Sequence, residues 1–316
     1  MWERLEAREI RRRGITRPDP GGRPRPDLPE GADLLPQIRH IVVLMMENHS
    51  YDNYLGLLAD RGEGLPLGPD GTPDVVNYAP NGRGYHAHQM TSTTQVKNNP
   101  SQNWRASHAG RLPAVSIVDP DFETYSEENP QDIRRGESFA AEVINHVMHG
   151  PAWSSTLLIW LYDEHGGYYD HVPPPEAVPP DDVPAHNYVL DLPRWLRTLL
   201  SPVFGGGFTR LKAIDDGPRD YARYGFRVPA VVVCPYARPD YVCSTTLDHT
   251  SVLKLIEEKW NLPPLTRRDA AAAAPLDMVD LDAEPAFAEP PKLPEPALRW
   301  GSWGSPRRRR AGATGR

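Results

Sequence analysis

The chain has 316 residues and a formal net charge of -7. That length allows one large domain or two smaller ones. The acidic balance excludes a general electrostatic attraction for nucleic acid, and there is no basic, aromatic-laced face to suggest one. The basic run Arg307–Arg310 is a local exception and reads as a solvated tail. Two cysteines, Cys234 and Cys243, are too few and too far apart for a Cys-rich zinc module, so they are expected to be free, partly buried thiols. No stretch is long and apolar enough for a membrane-spanning helix, so stable membrane insertion is not expected. Met1–Pro20 is charged and lacks the apolar core of a secretory signal. The expectation is a cytoplasmic protein, with secretion open if translation starts elsewhere.

In chain order, residues 1–36 read as an extended Pro-rich arm, because proline runs cannot hold regular helix or an inner strand. Ile38–Met46 is a continuous apolar, β-branched run, which suits a strand buried on both faces. Ala114–Val118 reads as a second strand. Gly136–His149 reads as an amphipathic helix with Phe139, Val143, Ile144 and Val147 on one side. Ser155–Tyr162 is a third strand and Val228–Val233 a fourth. Between them, Val172–Pro184 is a Pro-rich surface loop. His249–Trp260 reads as a helix with Val252, Leu253, Leu255 and Ile256 as its apolar side. The folded domain is placed at 37–265, followed over 266–316 by an Ala/Pro-rich extension and the basic tail. Strands alternating with helices predict an α/β fold with a mostly parallel sheet.

In such sheets ligands sit beyond the carboxyl ends of the strands. Two of the predicted strands run into acidic residues there: Glu47-Asn48 after the first and Asp163-Glu164 after the third. Hard oxygen ligands from separate strands can hold a divalent cation against a phosphate. His165, His171 and His249 could add a borderline nitrogen ligand suited to zinc or manganese. A strand-end carboxylate can equally cap the next helix. Asp248-His249-Thr250-Ser251 has both readings, as a helix cap or as part of a site. Gly166-Gly167 permits a tight turn or a close backbone approach.

Four segments carry a family resemblance. Ile38–Gly56 (IRHIVVLMMENHSYDNYLG), Leu112–Phe122 (LPAVSIVDPDF), Ser154–Pro175 (containing WLYDEHGGYYDHVPPP) and Tyr224–Ile256 resemble, in order, the signatures of the bacterial phospholipase C / acid phosphatase phosphoesterases. The resemblance implies an alkaline-phosphatase-like α/β/α sandwich with a mostly parallel central sheet. It implies hydrolysis of a phosphate ester, either a phospholipid head group or a small phosphomonoester. It also implies that Glu47, Asn48, Asp163, Glu164 and Asp248 surround a divalent metal (Zn, Mn or Ca) and the phosphate. His171 and His249 would then serve as acid/base residues. A sulfatase is disfavoured because no Cys/Ser-x-Pro-x-Arg pattern occurs.

The resemblance breaks in one region. The family's Asp-Pro-x-His-x-Trp motif reads Asn99-Pro100-Ser101-Gln102-Asn103-Trp104 here, and Gln102 cannot transfer a proton near neutral pH as His can. Trp104-Arg105-Ala106-Ser107-His108 then runs almost directly into Leu112-Pro113. The family's Gly-Pro-Thr-x-Pro-Asn-Arg-like stretch, with its nucleophilic hydroxyl, is missing. Thr91, Thr93 and Thr94 are nearby but read as a polar loop. The core is therefore expected to be incomplete. A metal-binding pseudoenzyme, a reading-frame fault in the gene, and attack by metal-activated water are the accounts this leaves.

Overall fold

The computed structural model describes residues 21–58, 62–78, 82–87, 112–122, 124–128, 131–182 and 221–298. The first 20 residues of the arm, Thr91–Thr94, Asn99–His108 and the basic run at 307–310 lie outside them. The chain forms two compact units. The larger comprises Leu35–Pro173, Gly225–Thr245 and Pro275–Arg316; the smaller comprises Met1–Leu34, Pro174–Tyr224 and Thr246–Ala274.

The larger unit is built on strands β1 (His40–Met46), β4 (Val115–Val118), β5 (Thr156–Tyr162) and β6 (Ala230–Val233). Their order is β4-β1-β5-β6. β4 and β5 both pair with β1 in parallel, and β6 runs antiparallel on β5. This is the mostly parallel α/β sheet that the strand–helix alternation predicts. Besides the short helix after β1, the chain between β1 and β4 forms a hairpin that periodicity did not reveal, of β2 (Val76–Tyr78) and β3 (Gly84–His86).

Both central strands are apolar on each face, and that follows from where they sit. Register pairs Val42, Leu44 and Met46 with Leu158, Trp160 and Tyr162. These residues face helix α2 (Ile133–Met148), which buries Phe139, Val143 and Val147 against them, with Ile144 partly buried alongside. Asp132 caps α2 through its carboxylate. On the other face Ile41, Val43, Leu157, Ile159 and Leu161 are also buried. The outer strands differ: Ile117 of β4 is 69% exposed and Val231 of β6 is 40% exposed. Helix α1 (Tyr51–Leu55), capped by Ser50, follows β1.

In the smaller unit, helix α3 (Thr250–Lys259) packs with α4 (Arg267–Ala271). The structure corrects the expected apolar side of α3. Leu255 is buried, but its companions are Ser251, Glu257 and Lys259, while Leu253 is 36% exposed. The reason is that the partners of α3 are polar. Lys259 ion-pairs with Asp33 at 2.6 Å, and the amides of Gly31 and Leu34 bond the carbonyls of Trp260 and Lys259. Asn261 donates to the carbonyls of Arg25, Leu28 and Pro29. Part of the expected arm is thereby tied to the end of the helix. Burial, then the proximity and charge of Asp269, push Glu257 up to about 7. Burial resists ionisation of Asp269, yet its closeness to Glu257 and hydrogen bonds from Thr266 and the Leu265 amide hold its carboxyl below the usual range.

Candidate active site

The carboxyl ends of β1 and β5 lie side by side, and two of the predicted residues meet there. The Asp163 amide donates to the Met46 carbonyl at 3.0 Å. The Asp163 carboxylate in turn accepts from the Asn48 amide at 3.1 Å and the Glu164 amide at 2.7 Å. Asn48 is buried in the left-handed conformation, at φ 67°, and this turns the chain out of β1 towards Asp163. Burial pushes the Glu47 carboxyl up to about 7, against a hydrogen bond from Ser126; the charges of Asp163, Glu128 and Glu164 push it further. Its Oε2 is buried with no hydrogen-bond partner. The end of β4 adds Asp119, raised by burial and by the charge of Asp163. In the sequence Asp119 stands only within the LPAVSIVDPDF segment, just after the second predicted strand. Three parallel strands thus deliver carboxylates to one edge.

Backing this edge is the turn at Ser126–Glu127. The Ser126 carbonyl accepts from the Glu47 amide at 3.0 Å, and the Glu127 carbonyl lies 3.1 Å from Nε2 of His49. His49 stacks on Tyr168 at 4.6 Å and meets Tyr54 and Tyr162 edge-on. Burial drives its pKa down to about 4, against hydrogen bonds to Asn53 and to the Glu127 carbonyl. His49 is therefore a neutral, structural imidazole.

His171 enters a second cluster in the same unit. Its Nδ1 lies 2.9 Å from an Asp52 carboxylate oxygen and its amide donates to the same oxygen at 2.6 Å. Arg227 bonds both oxygens of Asp170 through Nε at 3.1 Å and reaches Asp52 at 3.2 Å. Its guanidinium also lies over the Tyr51 ring at 4.3 Å. Burial pushes the Asp170 carboxyl up, opposed by the Val172 amide and Arg227. Of this cluster the sequence singles out His171 alone; Asp52, Asp170 and Arg227 lie in the matched segments without being marked as site residues. The only signal for Asp52 was its place in the first turn after the β1 motif. His165 faces neither cluster's carboxylates in its recorded contacts, which are Tyr168, Gly167 and the edge of Phe226.

Asp248 and His249 belong to the smaller unit. Asp248 caps α3, accepting from the Thr250 amide at 2.7 Å and its hydroxyl at 2.6 Å. Its other oxygen lies 3.6 Å from Arg268. The capping alternative raised by the sequence is therefore realised at Asp248, and His249 is exposed. Cys234 is buried and Cys243 half-buried, both as free thiols.

Two places suit a divalent ion by their donor chemistry. At the strand edge, the orphaned Glu47 Oε2 lies beside carboxylates that have no ion pair among the described residues, which fits a hard cation. In the second cluster, ligand atoms of Asp52, Asp170 and His171 lie within 4.8 Å of one another, an arrangement consistent with a divalent metal. Arg227 already supplies a positive charge to this second group, whereas no Arg or Lys pairs with the strand-edge carboxylates among the described residues.

The family described as Phosphoesterase family matches residues 71–263, more than half of the chain. The chain belongs to the phosphoesterase family. It is 34% identical over 197 residues to phospholipase C B of Mycobacterium tuberculosis (strain ATCC 25618 / H37Rv), covering 60% of this chain and 32% of that protein. It is 30% identical over 204 residues to non-specific phospholipase C6 of Arabidopsis thaliana, covering 60% of this chain and 34% of that protein. A non-hemolytic phospholipase C of Burkholderia pseudomallei (strain K96243) is 34% identical over 157 residues, covering 48% of this chain and 19% of that protein. The chain thus spans about a third or less of the length of these relatives.

Proposed function

We propose that the chain hydrolyses phosphate esters in a metal-dependent reaction of the phospholipase C or acid phosphatase type, at the strand edge formed by Glu47 and Asp163. The observation that carries this reading is the buried, unpartnered Glu47 Oε2 beside Asp163, at the ends of adjacent parallel strands. Glu47, Asn48, Asp163 and Glu164 would hold the ion, which when bound neutralises phosphoryl charge. Asn48, in the left-handed conformation, donates its backbone amide to the Asp163 carboxylate. Asp52 holds the Nδ1 proton of His171 and so leaves Nε2 as the atom that accepts or returns a proton. Asp248 and His249 enter this reading through the family motif alone. The substrate is a phospholipid head-group ester or a small phosphomonoester, the former supported by the names of the three relatives.

A pseudoenzyme that binds metal without turnover is the second reading. It is favoured by Asn99 and Gln102 replacing an acid and a histidine, and by the direct run from Trp104 to Leu112. One assay separates the two. Purified protein is given p-nitrophenyl phosphate and p-nitrophenyl phosphorylcholine with Mn²⁺, Zn²⁺ or Ca²⁺, beside Asp163→Ala. Metal-dependent turnover lost in the variant supports hydrolysis. Metal binding without turnover, in a cooperatively folded sample, supports the pseudoenzyme and overturns the hydrolase.

A further inference from the structure

Glu127 is 2% exposed and sits at φ 74°. A non-glycine residue at positive φ is held there by its surroundings, and here the holding groups are explicit. Tyr162 donates its hydroxyl to Oε2 at 2.5 Å, and Tyr54 donates to the same oxygen. Tyr162 is the last residue of β5, immediately before Asp163; Tyr54 belongs to α1, which follows Glu47–Ser50. On the opposite side α2 makes room: a Cβ at Gly136 would fall 2.0 Å from Glu127 Cγ. Gln131 braces the turn by accepting from the Ser126 amide at 3.0 Å and donating to the Ser126 hydroxyl at 3.0 Å.

The consequence lies in the carbonyls. Those of Ser126 and Glu127, consecutive in sequence, receive the Glu47 amide and the His49 ring, so the two residues flanking Asn48 are gripped from one turn. We infer that Glu127 is a positioning residue, whose carboxylate fixes this turn to the end of β5 and so sets Glu47 and Asn48 against Asp163. An aliphatic side chain would fill the same volume but remove the carboxylate that accepts from both tyrosine hydroxyls. The inference rests on the reading of the strand edge as a cation site.

The test is calorimetric titration of Mn²⁺ into the full chain at one pH, with thermal unfolding recorded for each variant. Glu127→Gln keeps an acceptor for both tyrosines and should bind Mn²⁺ within about threefold of the parent, whereas Glu127→Ala should bind about tenfold or more weakly while still folded. Should Glu127→Ala not fold, the Tyr54→Phe/Tyr162→Phe pair, which removes both donors at constant shape, takes its place with the same expectation. Parent-like Mn²⁺ affinity in the folded Glu127→Ala protein, or in the tyrosine pair, overturns the positioning role even if the melting temperature falls. If the parent binds no Mn²⁺, or Asp163→Ala binds as well as the parent, the cation site itself is wrong and the inference falls with it. Parent binding lost in Asp163→Ala but kept in Glu127→Ala refutes the inference alone.

Discussion

Gly166 lies so close to Asn48 that a Cβ at position 166 would fall 2.1 Å from the Asn48 carbonyl oxygen and 2.6 Å from its Cβ. Backbone at that distance cannot step aside as the end of a flexible side chain could. The left-handed Asn48 and the glycine turn after β5 therefore depend on each other, and both sit beside Asp163.

Gly166→Ala should consequently displace Asn48 as well as strain its own φ of 60°. The control is Gly167→Ala, where φ is 84° but nothing lies within 4 Å of the added carbon. Urea unfolding should show a loss of about 1–2 kcal/mol for Gly167→Ala, from backbone strain alone, and a larger loss for Gly166→Ala. Mn²⁺ binding should weaken in Gly166→Ala and persist in Gly167→Ala. Equal effects of the two substitutions would mean that the contact with Asn48 does not matter.

Arg227 offers a second test. Its guanidinium is the cation for two buried carboxylates, Asp170 and Asp52. Arg227→Met should leave those charges uncompensated and cost about 3–5 kcal/mol in urea unfolding. Adding Asp170→Asn to Arg227→Met should recover part of that loss, because one buried charge is removed with its partner. Additive losses in the double variant would show that the pair is not coupled. Supply of Mn²⁺ to Arg227→Met gives a further readout. Stabilisation there, and not in the parent with Asp163→Ala, would show that the Asp52–Asp170–His171 group takes a metal once the arginine is gone.

The strand edge was legible because its signals are local. A continuous apolar run marks a strand buried on both faces, and Glu47 and Asp163 stand directly at the ends of two such runs. What remained hidden depends on tertiary contacts or backbone sign. Arg227 meets Asp170 across 57 positions, and no periodicity joins them. The left-handed conformations of Asn48 and Glu127 leave no compositional trace, since neither is glycine. Helix α3 misled for another reason. Its apolar stripe was read as the buried side, but the structure sets Glu257 and Lys259 inward against Asp269 and Asp33. Amphipathic patterning assumes an apolar partner, and this helix has ionisable ones.

The thiols should behave as a reporter of unfolding. Burial pushes the Cys234 thiol up to about 12 and also raises Cys243, which is only half-buried. A thiol-specific reagent at pH 8 should label Cys243 slowly in the native protein and Cys234 only after denaturant is added. Rapid native labelling of both would mean that the β6 end opens readily.

Glu257 gives the clearest pH prediction. Its folded-state pKa is raised from 4.5 to about 7 by burial and by Asp269, so the folded protein holds a proton that the unfolded chain releases. Folding is thus helped by that proton at low pH, and the help is lost as pH rises from about 4.5 through 7. Above that range an ionised Glu257 lies buried beside Asp269, with neither of its oxygens hydrogen-bonded. Glu257→Gln stays uncharged beside Asp269 at every pH. It should stabilise the protein by up to about 2 kcal/mol at pH 8, with the gain disappearing by pH 5. The measurement is urea unfolding of both proteins at pH 5, 6, 7 and 8. A gain independent of pH would place the effect in packing instead of ionisation. A loss that grows with pH would mean that Glu257 is ionised and paired in the folded state, with Lys254, whose charge acts on it, as the partner to substitute next.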